Sequence, residues 1–224
     1  LRNQPQIVDQ LRSSNEKPGQ AGTLTNSLGS LVNFTTFGES AFGGAITGNL
    51  NFVRAGNTST FLTGASSYSG LTVVRGGNLV LRDAGALTGT SAVQVNNGAL
   101  RFDNYGLNPV ENPTRLNPAV PITLVGGELR IDGAGSSNIA VRVNSLTAGS
   151  GRNTINVLPY VNMGGTVRLD VGNLALTANA RQILNINGWT TNNSGGSNSL
   201  GNQSLAASAG VFLEKINGAT GPAN

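Results

Sequence analysis

The stretch Gly64–Leu81 decides the fold class of this chain, and it reads GASSYSGLTVVRGGNLVL. Within eighteen residues it combines a turn of small residues, a strand, a glycine turn and a second strand. The second half is a unit in which glycine precedes two apolar residues that are separated by one position. This unit recurs at Gly48–Phe52, Gly77–Leu81, Gly98–Phe102, Gly127–Ile131, Gly165–Leu169 and Gly172–Leu176. The first three intervals are 29, 21 and 29 residues, and a turn-and-strand unit recurring at such spacing predicts a solenoid.

The composition is that of a large all-β domain. Apolar residues make up 38% of the 224 residues and aromatic residues only 5%, so the core must be mainly aliphatic. Short alternating runs between turn residues predict fourteen or fifteen strands and no long helix. Among these runs are Asn78–Arg82, Ala99–Asp103, Ile122–Val125 and Glu128–Asp132.

Two all-β architectures produce short strands between turns. The repeated unit favours a parallel β-helix, because coils that stack in register place like residues on like residues. A coil of ~20 residues and a strand spacing of ~4.8 Å would give roughly ten turns and a rod about 50 Å long. An antiparallel β-sandwich is the alternative.

The chain divides into three segments by composition. Residues 1–22 are polar with a few apolar residues, and we expect an N-terminal arm or cap, formed by one short amphipathic helix or one extended strand. The β-solenoid is predicted over 23–190, with a loop at 104–121 that four prolines turn away from the main body. Residues 191–224 are predicted to hold an Asn/Ser/Gly-rich loop and a C-terminal strand or cap.

One region is close to a known repeat. Residues Thr63–Val73 read TGASSYSGLTV, and Gly77–Leu81, Ala86–Leu87 and Ala92–Leu100 continue the same pattern. This region resembles the autotransporter-associated β-strand repeat, also called the passenger-associated transport repeat. The resemblance implies a right-handed parallel β-helix, export and a location outside the bacterial cell, and it does not imply catalysis.

Two departures and one weaker likeness qualify this resemblance. Ser66 stands where the repeat has asparagine and Leu71 where it has glycine, and neither change disturbs a β-turn. The stretches Ile122–Arg130 and Ser145–Ile155 are similar to the sequence that often follows the repeat in large bacterial surface proteins.

The composition also excludes several kinds of chemistry. The chain has no cysteine and no histidine, which removes thiol chemistry, disulfides, Ser-His-Asp catalysis and the commonest metal ligand. The net charge of +4 comes from scattered arginines without a basic cluster, so no nucleic-acid partner is expected. No apolar stretch approaches the ~20 residues of a membrane helix, so no membrane insertion is expected. The first residue is Leu1 rather than methionine, as expected of a processed chain.

A repeated Arg-apolar-Asp motif is the sharpest candidate for chemistry. It occurs at Arg101–Asp103, Arg130–Asp132 and Arg168–Asp170, with a variant at Arg82–Asp83. Each arginine lies between two inward residues and therefore points outward, so stacked coils would place the arginines on one face. Some parallel β-helix polysaccharide lyases use an arginine beside Asp-bound Ca²⁺. Weak surface ion pairs explain the motif better, and we predict no catalytic, cofactor-binding or metal-binding residues and no cofactor.

The aromatic residues Tyr68, Tyr105, Tyr160 and Trp189 are a second candidate set. They could form a platform for carbohydrate, but they are far apart in sequence. Anchoring of loops by partly buried rings is the better interpretation.

The sequence therefore predicts a structural protein, not an enzyme, at the bacterial cell surface or outside the cell. We expect a self-assembling fibre or surface-layer subunit, or a stalk segment of an autotransporter-like passenger. Its partner would be itself, through head-to-tail contacts with a possible exchange of the N-terminal arm. The alternative is an adhesin whose loops 104–121 and 190–203 contact glycans or other surface proteins. A polysaccharide lyase comes third.

Overall fold

The computed structural model describes residues 1–105, 112–135, 137–159, 165–188 and 208–220. Within these ranges the chain is all β, with strands joined by short turns. Every pairing between strands is parallel except the last, between β21 (Lys215–Ile216) and β22 (Ala219–Thr220). The parallel β-helix is therefore confirmed and the antiparallel sandwich is wrong. The right-handed sense of the coil stays a prediction.

The first sheet has eleven strands and runs along the whole described chain. Ten of them follow one another, so at about 4.8 Å a strand the sheet is about 43 Å long. Before β21 and β22 its strands are β1 Gln6–Val8, β3 Val32–Thr36, β6 Leu50–Ala55, β9 Thr72–Arg75, β12 Val93–Asn96, β14 Ile122–Val125, β16 Asn138–Ala148, β18 Thr166–Leu176 and β20 Ser208–Leu213.

The second sheet has seven strands and stacks in the same order along the axis. Its strands are β4 Ser40–Phe42, β7 Ser59–Leu62, β10 Asn78–Arg82, β13 Ala99–Asp103, β15 Glu128–Asp132, β17 Gly151–Leu158 and β19 Gln182–Gly188.

A third face closes the coil between the two large sheets. In the N-terminal half it consists of two short sheets, β2 (Thr23–Asn26) with β5 (Ala45–Gly48) and β8 (Ala65–Ser66) with β11 (Ala86–Leu87). In the C-terminal half the first parts of β16 and β18 take this place, because only the end of β16 pairs with β14. Each coil thus runs from the second sheet through the third face to the first.

The apolar residues of successive coils form continuous columns. In the first sheet Phe52 pairs with Phe34 on one side and with Thr72, twenty residues later, on the other. The rings of Phe34 and Phe52 lie 6.2 Å apart. In the second sheet Leu81 pairs with Leu62 and with Phe102. Each coil buries its apolar face against its neighbours, as a solenoid requires.

The recurring glycine units do not all lie on one face. The units that begin at Gly77, Gly98 and Gly127 stack directly on one another in the second sheet. The unit that begins at Gly48 enters the first sheet instead. The interval of 29 residues between Gly48 and Gly77 is therefore a distance between faces, not the length of a coil.

Close approach between coils explains why glycine precedes these strands. Gly77 has a φ of 57°, a left-handed conformation that side chains disfavour. A Cβ atom at this position would lie 2.1 Å from the carbonyl oxygen of Thr58 in the preceding coil. Only glycine fits such a corner without moving the backbone.

The N-terminal segment 1–22 is extended, and the helical alternative is wrong. Its strand β1 pairs in parallel with residues 34–36 of β3. Further along, the Ser13 amide donates to the Ala41 carbonyl at 3.1 Å and the Gly19 amide to the Gly43 carbonyl at 2.9 Å. The segment therefore lies as a first coil on its own solenoid, because the exposed strand edges there satisfy its backbone. The division into three domains stays a prediction.

Candidate functional site

Two of the Arg-apolar-Asp motifs meet on the outer face of the second sheet. Arg101 pairs in register with Arg130, and Asp103 with Asp132. Both arginines contact the same carboxylate: Arg130 Nε lies 2.8 Å from Asp132 Oδ1, and Arg101 Nε donates to Asp132 Oδ2. Arg101 Nη2 also lies 3.8 Å from Asp103 Oδ2. The like charges on neighbouring coils coexist because they share a carboxylate.

Arg168 does not join this network. The prediction that the motifs share one outer face is therefore wrong for Arg168–Asp170. Arg168 lies on β18, where it pairs with Ala140, and it contacts Asp170 at 2.7 Å. Nearby, Arg142 binds Glu214 through two nitrogens at 2.6 and 3.0 Å. The motif indicates a strand whose side chains alternate between inside and outside. It does not specify on which face of the coil that strand lies.

The variant motif extends the ionic strip of the second sheet. Arg82 pairs in register with Asp103 and lies 3.8 Å from Asp83. It also contacts Glu16 of the N-terminal segment at 3.1 Å, and its guanidinium lies 4.4 Å above the ring of Phe61. The strip therefore ties the first coil to the sheet.

The ion pairs favour a structural role over the chemistry of a lyase. Both oxygens of Asp132 accept from guanidinium groups, so neither is free to hold a cation. Elsewhere in the described ranges, no group of three acidic side chains gathers in a way that could hold a metal ion.

The aromatic candidates do not form a platform. Tyr68 is fully buried, and its hydroxyl lies 2.6 Å from Thr72 Oγ1. Burial raises the pKa of Tyr68 above its ordinary value of 10, and the hydrogen bonds to Thr72 and Thr90 oppose this shift. Tyr105 is 46% exposed, whereas Tyr160 and Trp189 lie outside the described residues.

Sequence reasoning missed a buried arginine that holds the proline-rich segment. Arg115 is completely buried, and its guanidinium donates to the carbonyls of Asp83 at 2.9 Å, Gly85 at 2.8 Å and Asp103 at 3.0 Å. Its Nε donates to Asn104 Oδ1 at 3.0 Å. Desolvation lowers the pKa of Arg115 to about 10, although the charges of Asp103 and Asp83 oppose this shift.

This anchoring corrects the prediction that the whole segment 104–121 leaves the main body. Leu116 and Val120 are buried, and Leu116 forms a bridge with Leu87 of the third face. Residues 112–121 therefore belong to the wall of the coil. Residues 106–111 lie outside the described ranges, and so do 190–203 of the second predicted loop.

Arg54 has a similar role in an earlier coil. It is completely buried, and its Nη1 donates to the carbonyl of Phe37 at 2.6 Å and of Thr36 at 3.1 Å. Its Nη2 donates to Thr58 Oγ1 at 2.8 Å. Burial lowers the pKa of Arg54. No sequence signal marks either arginine, because most of their acceptors are backbone carbonyls.

Both ends of the solenoid present strand edges. At one end β1 is the outermost strand, and its Ile7 is 74% exposed. At the other end β19 is the last described strand of the second sheet, with Ile183 60% exposed. In the first sheet the antiparallel strand β22 follows β21 there.

Comparison with known proteins places this fold in a biological setting. The chain is 34% identical over 175 residues to the adhesin BmaC autotransporter of Brucella suis biovar 1 (strain 1330). The chain is autotransporter-related. This match covers 76% of the chain, which spans only 4% of the length of that relative. The relationship confirms the predicted location at the cell surface or outside the cell. No family model matches the chain, and the assignment to a particular repeat stays a prediction. No solved structure matches it either.

Within the described ranges there is no helix of the length and apolar character needed to cross a membrane.

Proposed function

We propose that the chain is a stalk segment of an autotransporter-like passenger, a structural element rather than an enzyme. The observation that carries this proposal is the parallel ladder, which continues in register through the first sheet from β1 to β18. Each coil contacts only its neighbours, so coils can be added without changing the cross-section. Such an element extends whatever it carries away from the cell surface.

The side chains of the outer faces support this proposal. The arginines and aspartates of the second-sheet motifs bind one another, as the shared carboxylate of Asp132 shows. Buried arginines satisfy backbone carbonyls at the corners. These groups hold neighbouring coils together, which a stalk under mechanical load requires.

A more specific form of this proposal is that the chain is a self-assembling fibre or surface-layer subunit. Among the described residues no further strand pairs with the outer edges of β1 and β19, and β19 adds the exposed Ile183. In a longer passenger, neighbouring coils of the same polypeptide would cover these edges. In the free chain a second copy would cover them head to tail, which gives an open filament.

Surface display tests the stalk proposal. The 224-residue chain is fused, as the sole passenger, to the translocator of an autotransporter in a laboratory bacterium. We expect the chain to reach the cell surface and to resist external protease while folded. A chain that is retained inside, or one that is displayed but degraded as fast as an unfolded passenger, would overturn the proposal.

Sedimentation of the purified chain at increasing concentration tests the proposal of a self-assembling fibre. A chain that stays monomeric at every concentration would exclude the fibre.

An adhesin is the second candidate, because the related protein is named an adhesin. The predicted contact loops lie largely outside the described residues, but an outer face of the solenoid offers a binding surface of its own. A polysaccharide lyase receives less support, because Arg130 and Asp132 bind each other.

A further inference from the structure

A trough crosses the outer face of the first sheet in its N-terminal half. It has a volume of about 500 Å³ and extends over β1, β3, β6, β9 and β12, a length of roughly 19 Å. Val53 and Val73 form its floor and are only 7% and 6% exposed. Ile7 and Phe37, which are 74% and 42% exposed, rise beside them.

The rim of the trough carries polar side chains that have no protein partner. Arg75 and Gln94 both line it, and within the described residues neither side chain makes a hydrogen bond or an ion pair. Asn33 Oδ1 accepts from Asn51 Nδ2 at 2.8 Å, which leaves the Asn33 amide nitrogen free to donate. Arg75 is the one ionisable residue among those that line the trough. The site therefore offers a positive charge, several donors and an apolar floor.

Arg75 differs in this respect from the arginines of the ion pairs described above. On the second sheet the arginines of the Arg-apolar-Asp motifs are neutralised by neighbouring carboxylates. On the third face Arg142 is neutralised by Glu214. Arg75 keeps its charge without a carboxylate, so it can form a charge-assisted hydrogen bond with an external anion.

We infer that the trough binds an acidic glycan. A sugar ring has an apolar face and a rim of hydroxyl groups, which matches an apolar floor with donors at its edge. A carboxylate or sulfate group on the sugar would accept from Arg75, while hydroxyl groups bind Gln94 and Asn33. This inference rests on the adhesin candidate and locates its binding site on the sheet rather than in the loops.

An extended peptide fits the trough less well. The backbone groups of β3, β6, β9 and β12 already pair with the strands on either side. A peptide that lies across this face finds only side chains and leaves its own amides without the ladder that strand addition provides. A glycan needs no such ladder.

The test is an array of acidic glycans (uronates, sialosides and sulfated glycosaminoglycans) with their neutral counterparts, probed with the full chain. We expect binding of at least one acidic glycan, no binding of its neutral counterpart, and weaker binding as the salt concentration rises. The bound glycan is then titrated against the variants Arg75→Gln and Gln94→Glu. Each should weaken binding by about tenfold or more, since a charge-assisted hydrogen bond is lost or a carboxylate is added to the rim.

Arg181→Gln is the matched control, because Arg181 is exposed and lies outside the trough. It should leave binding unchanged, and all three variants should keep the thermal midpoint of the wild type. If no acidic glycan is bound, if neutral glycans bind equally well, or if Arg75→Gln binds like the wild type, the inference is wrong. Capture of extended peptides instead of glycans would also overturn it. Surface display of these variants is unaffected in either case, so failure here is distinct from failure of the stalk proposal.

Discussion

Replacement of Arg115 by methionine tests whether a buried guanidinium holds the coil together. Methionine keeps an unbranched stem but cannot donate, so four hydrogen bonds are lost. The carbonyls of Asp83, Gly85 and Asp103 each lose the donor that Arg115 supplies. The acceptors lie in two different coils, so the substitution weakens the contact between these coils.

The magnitude follows from two opposing effects. A buried acceptor left without a donor costs about 1–3 kcal/mol, so three carbonyls cost about 6 kcal/mol. Against this, the variant no longer buries a charge. Burial lowers the pKa of Arg115 from its ordinary value to about 10, and that shift corresponds to about 3 kcal/mol. The lost hydrogen bonds dominate, and we expect a net destabilisation of about 3 kcal/mol.

Urea unfolding at constant pH measures this difference, with protease cleavage within the segment 112–121 as a second readout. Arg142→Met is the matched control, because Arg142 is exposed and forms its ion pair with Glu214 at the surface. Such a solvent-exposed pair contributes little to stability. We expect Arg115→Met to lower the free energy of unfolding well beyond the control and to make the segment sensitive to protease. Equal effects of the two variants would refute the reasoning.

Three further predictions concern the corners, the core and the ionic strip. Gly77→Ala should lower the free energy of unfolding by about 2 kcal/mol or more, because its Cβ meets the backbone of the preceding coil; a thermal midpoint equal to that of the wild type would contradict this. Burial raises the pKa of Tyr68 above 10, so the folded state keeps a proton that the unfolded state releases and stability falls as the pH rises above 10. Tyr68→Phe should therefore show a shallower loss of stability than the wild type in alkaline unfolding experiments, and identical slopes would disprove this. Asp132→Asn should lower the free energy of unfolding by about 2 kcal/mol, and by more than Arg101→Gln does, because it leaves Arg101 and Arg130 side by side without their shared carboxylate. A larger loss for Arg101→Gln in chemical unfolding would count against the network.

Several strands could be predicted from the sequence with their observed bounds. Asn78–Arg82, Ala99–Asp103, Ile122–Val125 and Glu128–Asp132 are found as predicted. Each alternates between inward apolar and outward residues and lies between turn residues, so both its period and its ends are visible in the sequence. The parallel stacking also follows from the repeat, because equivalent residues recur where equivalent residues pack.

The third face could not be predicted in this way. Its strands Ala65–Ser66 and Ala86–Leu87 have two residues each, which is too short to show an alternation. The position of Arg168 could not be predicted for the same reason. Because the sequence does not reveal the third face, it does not show that the motif Arg168–Asp170 lies on a different side of the coil.

The buried arginines were not predictable from residue type. Arg115 binds the carbonyls of Asp83 and Gly85, which lie about thirty positions earlier in the chain. Every residue carries such a carbonyl, so no pattern of side chains signals the contact. A charged residue in a proline-rich segment is ordinarily assigned to the surface, and only the packing of coils shows that this one is inside.

Distances between spin labels along one outer column test the central claim most directly, because the chain has no native cysteine to interfere. Labels at Thr35→Cys and Thr123→Cys lie four strands apart, and labels at Thr35→Cys and Ala175→Cys six strands apart. The parallel β-helix predicts backbone separations of about 19 Å and about 29 Å, which increase in proportion to the number of strands between the labels. Separations that do not increase in this order would contradict the stacked coils and every inference that depends on them.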